Sequence, residues 1–87
     1  MADQEKKLVG KITHYYGKIG VAVVELSDEL SVGDTISIEG NVTNFQQTVD
    51  SMEIEHKQIK TAKAGDAIGL KVKDRVREGD SVYKILA

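Results

Sequence analysis

The chain of 87 residues contains no cysteine, no proline and no tryptophan, and only one phenylalanine, Phe45. Without cysteine there is no disulfide framework, no thiolate metal site and no thiol nucleophile. Without proline, one of the usual means of blunting an exposed strand edge is missing, which favours an architecture that leaves few edges. His14 and His56 are the only imidazoles, and they lack the spacing of a metal pair, so no metal site and no cofactor are expected. No run approaches the roughly 18 apolar residues of a membrane-spanning helix. Residues 1–7 are polar and charged and carry no secretory h-region. These absences predict a soluble cytoplasmic protein, with a flexible segment over 1–7 and a single domain over 8–87.

What the chain does have is Gly-Asp three times, each before a β-rich run: Val32-Gly33-Asp34-Thr35-Ile36, Ala64-Gly65-Asp66-Ala67-Ile68 and Glu78-Gly79-Asp80-Ser81-Val82. Glycine tolerates the positive φ of a tight turn, and aspartate bonds the nearby backbone. Each copy reads as a turn that launches a strand with its register set. Leu8, Ile12 and Tyr16 share one parity of a first strand, with His14 at the same apolar parity. Gly17-Lys18-Ile19-Gly20 reads as a turn. Val21-Ala22-Val23-Val24 is apolar at both parities, as in a strand covered on both faces. Ile36 and Ile38 alternate with polar residues, and Gly40-Asn41 suits a hairpin turn. The apolar parity changes between Phe45/Val49 and Met52/Ile54, so a turn or bulge is expected near Asp50-Ser51. Residues 56–64 read as a lysine-rich connection anchored by Ile59. Ile68, Leu70 and Val72 alternate, and a charged turn over 74–80 leads to a last strand through Val82. No stretch shows sustained helical periodicity. Six or seven short strands between turn signals predict an all-β fold, a small closed antiparallel β-barrel of about six strands.

No catalytic constellation emerges. Gly10 and Gly17-Lys18 lack the spacing and the following hydroxyl of a phosphate-binding loop, and no Gly-x-Gly-x-x-Gly occurs. Ser51 beside Asp50 has no base and no oxyanion hole in view. The pairs Asp28/Glu29 and Glu53/Glu55 read as solvent-facing, with nothing apolar to raise a pKa. The chain is expected not to be an enzyme.

The net charge is −2, but it is unevenly spread. Lys57, Lys60, Lys63, Lys71, Lys73, Arg75 and Arg77 face only Asp66 and Asp74 in their stretch, while residues 25–39 are acidic. Such a segment can track phosphates, and Tyr15, among His14, Tyr16, Lys11 and Lys18, offers a ring for stacking on a base.

The order of these signals resembles the second domain of translational GTPases, the β-barrel that follows the G domain in elongation and initiation factors such as elongation factor Tu. The stretch Ala64-Gly65-Asp66-Ala67-Ile68-Gly69-Leu70 and the preceding Val49-Asp50-Ser51-Met52 carry the likeness, which runs over about residues 8–86. The chain also looks like the small barrel appended to the C-terminus of some collagenase-like peptidase proteins. The first likeness, to a stand-alone elongation-factor-like protein, implies an accessory barrel that contacts ribosomal RNA or tRNA and binds no nucleotide of its own. The residues expected to face RNA are Lys57, Lys60, Lys63, Lys71, Lys73, Arg75 and Arg77, with Tyr15 and Lys18 beside them. Glu25 stands where those factors commonly carry a base. The alternative is an adaptor or scaffold partnering a separate enzyme through the acidic face and the Phe45 strand.

Overall fold

A computed structural model describes residues 5–86. Its strands are β1 (Lys6–Tyr16), β2 (Val21–Leu26), β3 (Leu30–Ser31), β4 (Thr35–Glu39), β5 (Asn44–Thr48), β6 (Met52–Ile54), β7 (Lys57–Ile59), β8 (Thr61–Ala62), β9 (Ala67–Lys71) and β10 (Ser81–Ile85). Eight of them form one sheet in the order β5-β4-β10-β1-β2-β9-β6-β7, and β3 pairs with β8 in a separate ribbon. Every pairing is antiparallel.

The three Gly-Asp copies build one device three times. Gly33, Gly65 and Gly79 have φ of 97, 94 and 93°. The N–H of Asp34, Asp66 and Asp80 donates to the carbonyl three residues back, at 3.1, 3.0 and 3.1 Å. A glycine at the third position with positive φ makes each a type II turn. The same aspartates accept, through Oδ2, the N–H of Ser31, Lys63 and Arg77 at 2.9, 3.0 and 2.9 Å. Each turn is then clipped to one residue in or just beyond a neighbouring strand. Gly33 N–H donates to the Val49 carbonyl, and Val49 N–H donates to the Asp34 carbonyl. Leu26 does the same with Gly65 and Asp66, and Ile12 with Gly79 and Asp80. Two residues thus oppose one, the bulge that begins with a positive-φ glycine. Val49, Leu26 and Ile12 are all buried, so the clips lock the turns onto the core.

The expected parity of β1 fails because the strand bulges twice, its register shifting between Leu8 and Gly10 and between Ile12 and His14. Ile12 is buried as expected, but Val9 is buried and Tyr15 packs against the core in place of Leu8 and Tyr16, which are each 50% exposed. His14 is exposed as well, not partly buried as the parity implied. The expected turn at residues 17–20 is a hairpin loop, with Tyr16 paired to Val21. The hairpin after β4 is present, closed by Gly40 N–H donating to the Thr43 carbonyl at 2.7 Å. Residues 49–51 carry the chain from β5, at one end of the sheet, to β6 near the other. The lysine-rich stretch is not merely a connection, since it supplies β7 and β8.

The all-β expectation holds. The closed barrel does not: the ladder of the sheet is open, with β5 and β7 as its outer strands. The sheet wraps around one core in which Ile36, Ile38, Met52, Ile68, Leu70 and Val82 are fully buried. The outer strand β5 is tied to β9 without a ladder. The Gln47 amide of β5 donates to the Lys71 carbonyl and accepts from Lys73 N–H, both at 2.8 Å. The β3–β8 ribbon adds a bond from Val32 N–H to the Lys60 carbonyl. Residues 1–4 of the segment expected to be flexible lie outside the described residues, and β1 already begins at Lys6.

Candidate functional site

Antiparallel register places side chains in rows across the two faces of the sheet. One row, Ala22, Leu70, Met52 and Ile59, faces the core. The next row, His14, Val23, Gly69, Glu53 and Gln58, faces outward. Beside it run Tyr16, Val21 and Lys71. The middle of the outward row is a glycine, so the sheet surface is dented there. The dent belongs to a concavity of about 660 Å³, walled on one side by Tyr16 and Ile19 and on the other by Glu53, Glu55, His56 and Gln58. Val21, Val23 and Gly69 form its floor.

Glu55 and His56 form the two-residue tip of the β6–β7 hairpin, with φ of 50 and 67°. Positive φ at both central residues defines the type I′ turn, which ordinarily uses Asn-Gly. Neither residue here relieves the strain, and both line the concavity. Among the described residues Glu53, Glu55 and Lys71 form no ion pair. Ile19 is 64% exposed beside them, a large apolar side chain with no cover. The His14 and Tyr16 rings lie 4.2 Å apart, and His14 Nδ1 is 3.4 Å from Glu78 Oε2.

The basic residues singled out by the sequence do not share one face. Lys71 projects from the outward face of β9 and lines the concavity. Lys73 lines a second, smaller dip with Gln47, Thr48, Asp50 and Lys71, and its N–H donates to Gln47 Oε1. Lys57 stands at the register of the core-facing row, exposed at the rim of the outer strand β7. Lys60 lies between β7 and β8, Lys63 opens the second Gly-Asp turn and Arg77 the third, with Arg75 in the loop before it. Lys18 sits in the β1–β2 loop. Tyr15 packs against the core, and its neighbour Tyr16 is the ring turned outward. Glu53, Glu55, His56 and Gly69 were not picked out as a group. Their signal was present in the double-sided apolarity of β2, which implied something lying over Val21 and Val23.

The resolved electrostatic shifts lie away from this face. The Lys6 ammonium, with help from the Ser37 hydroxyl, holds the Glu39 carboxyl below its ordinary range. Lys7 does the same for Asp28, assisted by the Glu29 N–H. Among the described residues no three His, Asp or Glu side chains gather as around a metal ion, and no helix is long and apolar enough to cross a membrane.

Comparison with known proteins redirects the functional reading. The chain is 43% identical over 76 residues to an uncharacterized protease of Methanocaldococcus jannaschii, a match covering 86% of this chain and 19% of the protease. It is 36% identical over 85 residues to a collagenase of Porphyromonas gingivalis, covering 95% of this chain and 20% of the collagenase. The chain thus spans about a fifth of the length of the curated relatives it matches. Its fold is that of the C-terminal domain of a U32 peptidase from Geobacillus thermoleovorans. That structure superposes with a TM-score of 0.84 at 21% identity, covering 90% of this chain and 91% of that one. No family model matches the chain. These findings overturn the likeness to translation-factor second domains, and with it the accessory role on RNA or the ribosome. Turns that launch strands from Gly-Asp are a solution to folding a small β domain, so the motif that suggested those factors reports architecture. The chain is similar in sequence to part of proteins named as proteases and in fold to the C-terminal domain of a U32 peptidase.

Proposed function

We propose that the chain is a non-catalytic, protein-binding module that serves a peptidase. The observation that carries this reading is the pairing of strong likeness with small coverage: 43% identity to a protein named as a protease, over only 19% of its length. Among the described residues no nucleophile, base and oxyanion donor stand together, which supports a binding role over a catalytic one. What the chain does offer is an exposed concavity with an apolar floor, one apolar wall of Tyr16 and Ile19 and one polar wall, the form of a recognition site. Of the two roles weighed from sequence, an adaptor that partners a separate enzyme is the one these observations favour. The contact surface is then the outward face of β2, β9 and β6, not the acidic stretch 25–39 or the Phe45 strand.

Two measurements on the purified chain test this. Incubated with gelatin or casein it should release no fragments. Immobilised and exposed to extract of the organism that makes it, it should retain a peptidase related to the remaining four-fifths of its relatives, identified by mass spectrometry. Fragment release that survives repurification, or retention of no peptidase, would contradict the proposal.

A further inference from the structure

Three separate features set apart the outward face of β2, β9 and β6. First, β2 presents Val21 and Val23 outward although Ala22, Val24 and Leu26 already serve the core. A sheet that faces water on one side normally alternates apolar with polar. Second, Gly69 is mid-strand and neither turn geometry nor packing demands it. A β-carbon there would meet nothing closer than Val21 Cγ1 at 3.6 Å. Glycine weakens a strand interior, and its use there commonly marks close approach by a ligand or another backbone. Third, the strained tip at Glu55 and His56 leans on the same concavity, and local strain of this kind gathers at binding sites.

We propose that this groove binds an extended polypeptide segment through one basic side chain, arginine or lysine, next to an apolar residue. The inference rests on the reading of the chain as a protein-binding module and names what that module recognises. The methylene stem of the basic residue lies along Val21 and Val23, in the dent left by Gly69, and long cationic side chains bury their stems in this way. Its cationic head reaches Glu53 and Glu55, two carboxylates with no ion pair of their own among the described residues. The neighbouring apolar residue covers Tyr16 and Ile19. Lys71 stands at the end of the row beside Val21, where it repels a second cation and sets the direction of the segment. The lining carries two carboxylates against one ammonium, so an acidic segment is disfavoured.

The test is a titration of the isotope-labelled 87-residue chain with the peptide acetyl-Leu-Arg-Leu-amide, followed by amide chemical shifts. Shifts should centre on Val23, Glu53, His56 and Gly69. The same peptide with citrulline, neutral and nearly isosteric, should bind at least tenfold more weakly, and Glu53→Gln with Glu55→Gln should weaken the arginine peptide to a similar degree. Gly69→Val should fill the dent and abolish binding. Gly69→Ala, which adds one methyl group, serves if the valine variant does not fold, and should weaken binding severalfold. Shifts centred elsewhere, equal affinity for the citrulline peptide, or native affinity in the filled variants would overturn the inference, as would no binding at millimolar peptide. The broader reading fails separately. A chain that retains a peptidase but ignores the peptide removes only the groove assignment, and one that binds the peptide in the groove but retains no peptidase removes only the peptidase partnership.

Discussion

Gly40 lies against the carboxylate of Asp80 so closely that a β-carbon on the glycine would overlap it. Asp80 is only 5% exposed and is held by the Arg77 N–H at 2.9 Å. The end of β4 and the third Gly-Asp turn are therefore fitted to one another, because Ser81, at the start of β10, pairs with Glu39. Gly40→Ala should cost about 1–3 kcal/mol, the usual penalty of overpacking. In an Asp80→Ala background the same substitution should cost much less. A double-mutant cycle in urea measures the difference, and additive effects would show that the two residues are not coupled.

The three Gly-Asp turns share one φ, and a β-carbon at Gly33, Gly65 or Gly79 would meet no atom within 4 Å. Alanine at each position therefore isolates the left-handed backbone penalty, about 1–2 kcal/mol. The three losses should agree within about 0.5 kcal/mol, a scatter usual for independent sites. Gly69→Ala should behave oppositely and raise stability by up to ~1 kcal/mol, since its backbone needs no glycine. Denaturant midpoints of the four variants decide this.

Replacing Glu55→Asn and His56→Gly installs the pair that a type I′ turn prefers. The thermal midpoint should rise as strain is relieved, and affinity for the arginine peptide should fall as one carboxylate and one wall of the groove are lost. A rise in both quantities would mean that the strained tip does not serve recognition.

Acid should destabilise the fold through Glu39. Its folded pKa is depressed, so the unfolded chain binds the proton more readily. The contribution is complete above the ordinary glutamate value and is lost as pH falls through the lower folded value. Asp28 acts in the same sense. Lys6→Met removes the ammonium 2.7 Å from Oε2 that chiefly holds the Glu39 carboxyl down, and should flatten stability against pH in that acid window. An unchanged profile would remove Glu39 as the source. Both partners are partly exposed, so the pair should also weaken with added salt.

Much of the fold is legible in the residues, and the reasons for success and failure are physical. Gly-Asp turns are local, carried by two adjacent side chains and one φ, and all three lie where the sequence indicated. Alternation identified Ile36, Ile38, Ile68 and Leu70 as core. In β1 it held for Ile12 but failed for Leu8 and Tyr16, because a bulge changes which side a residue faces without changing the residue, and the two bulges turn Val9 and Tyr15 inward instead. Val76 is buried within a loop, where no periodicity exists to reveal it. Edge avoidance implies closure of the barrel, but the ladder stays open, and β5 is tied to β9 only through the Gln47 side chain. The basic segment was legible as composition only, because strands and turns send neighbouring lysines to different faces. The groove is a product of register: Val23, Gly69 and Glu53 come from three strands and no spacing in the chain brings them together.

The most direct measurement exchanges parts. In the collagenase of Porphyromonas gingivalis, the segment matching this chain is replaced by residues 1–87, and hydrolysis of gelatin is compared with that of the native enzyme and of the enzyme with the segment deleted. The account predicts that the exchange keeps most of the native activity, that deletion loses it, and that Gly69→Val within the exchanged segment lowers it. A folded exchange enzyme no more active than the deletion would contradict a role in service of a peptidase.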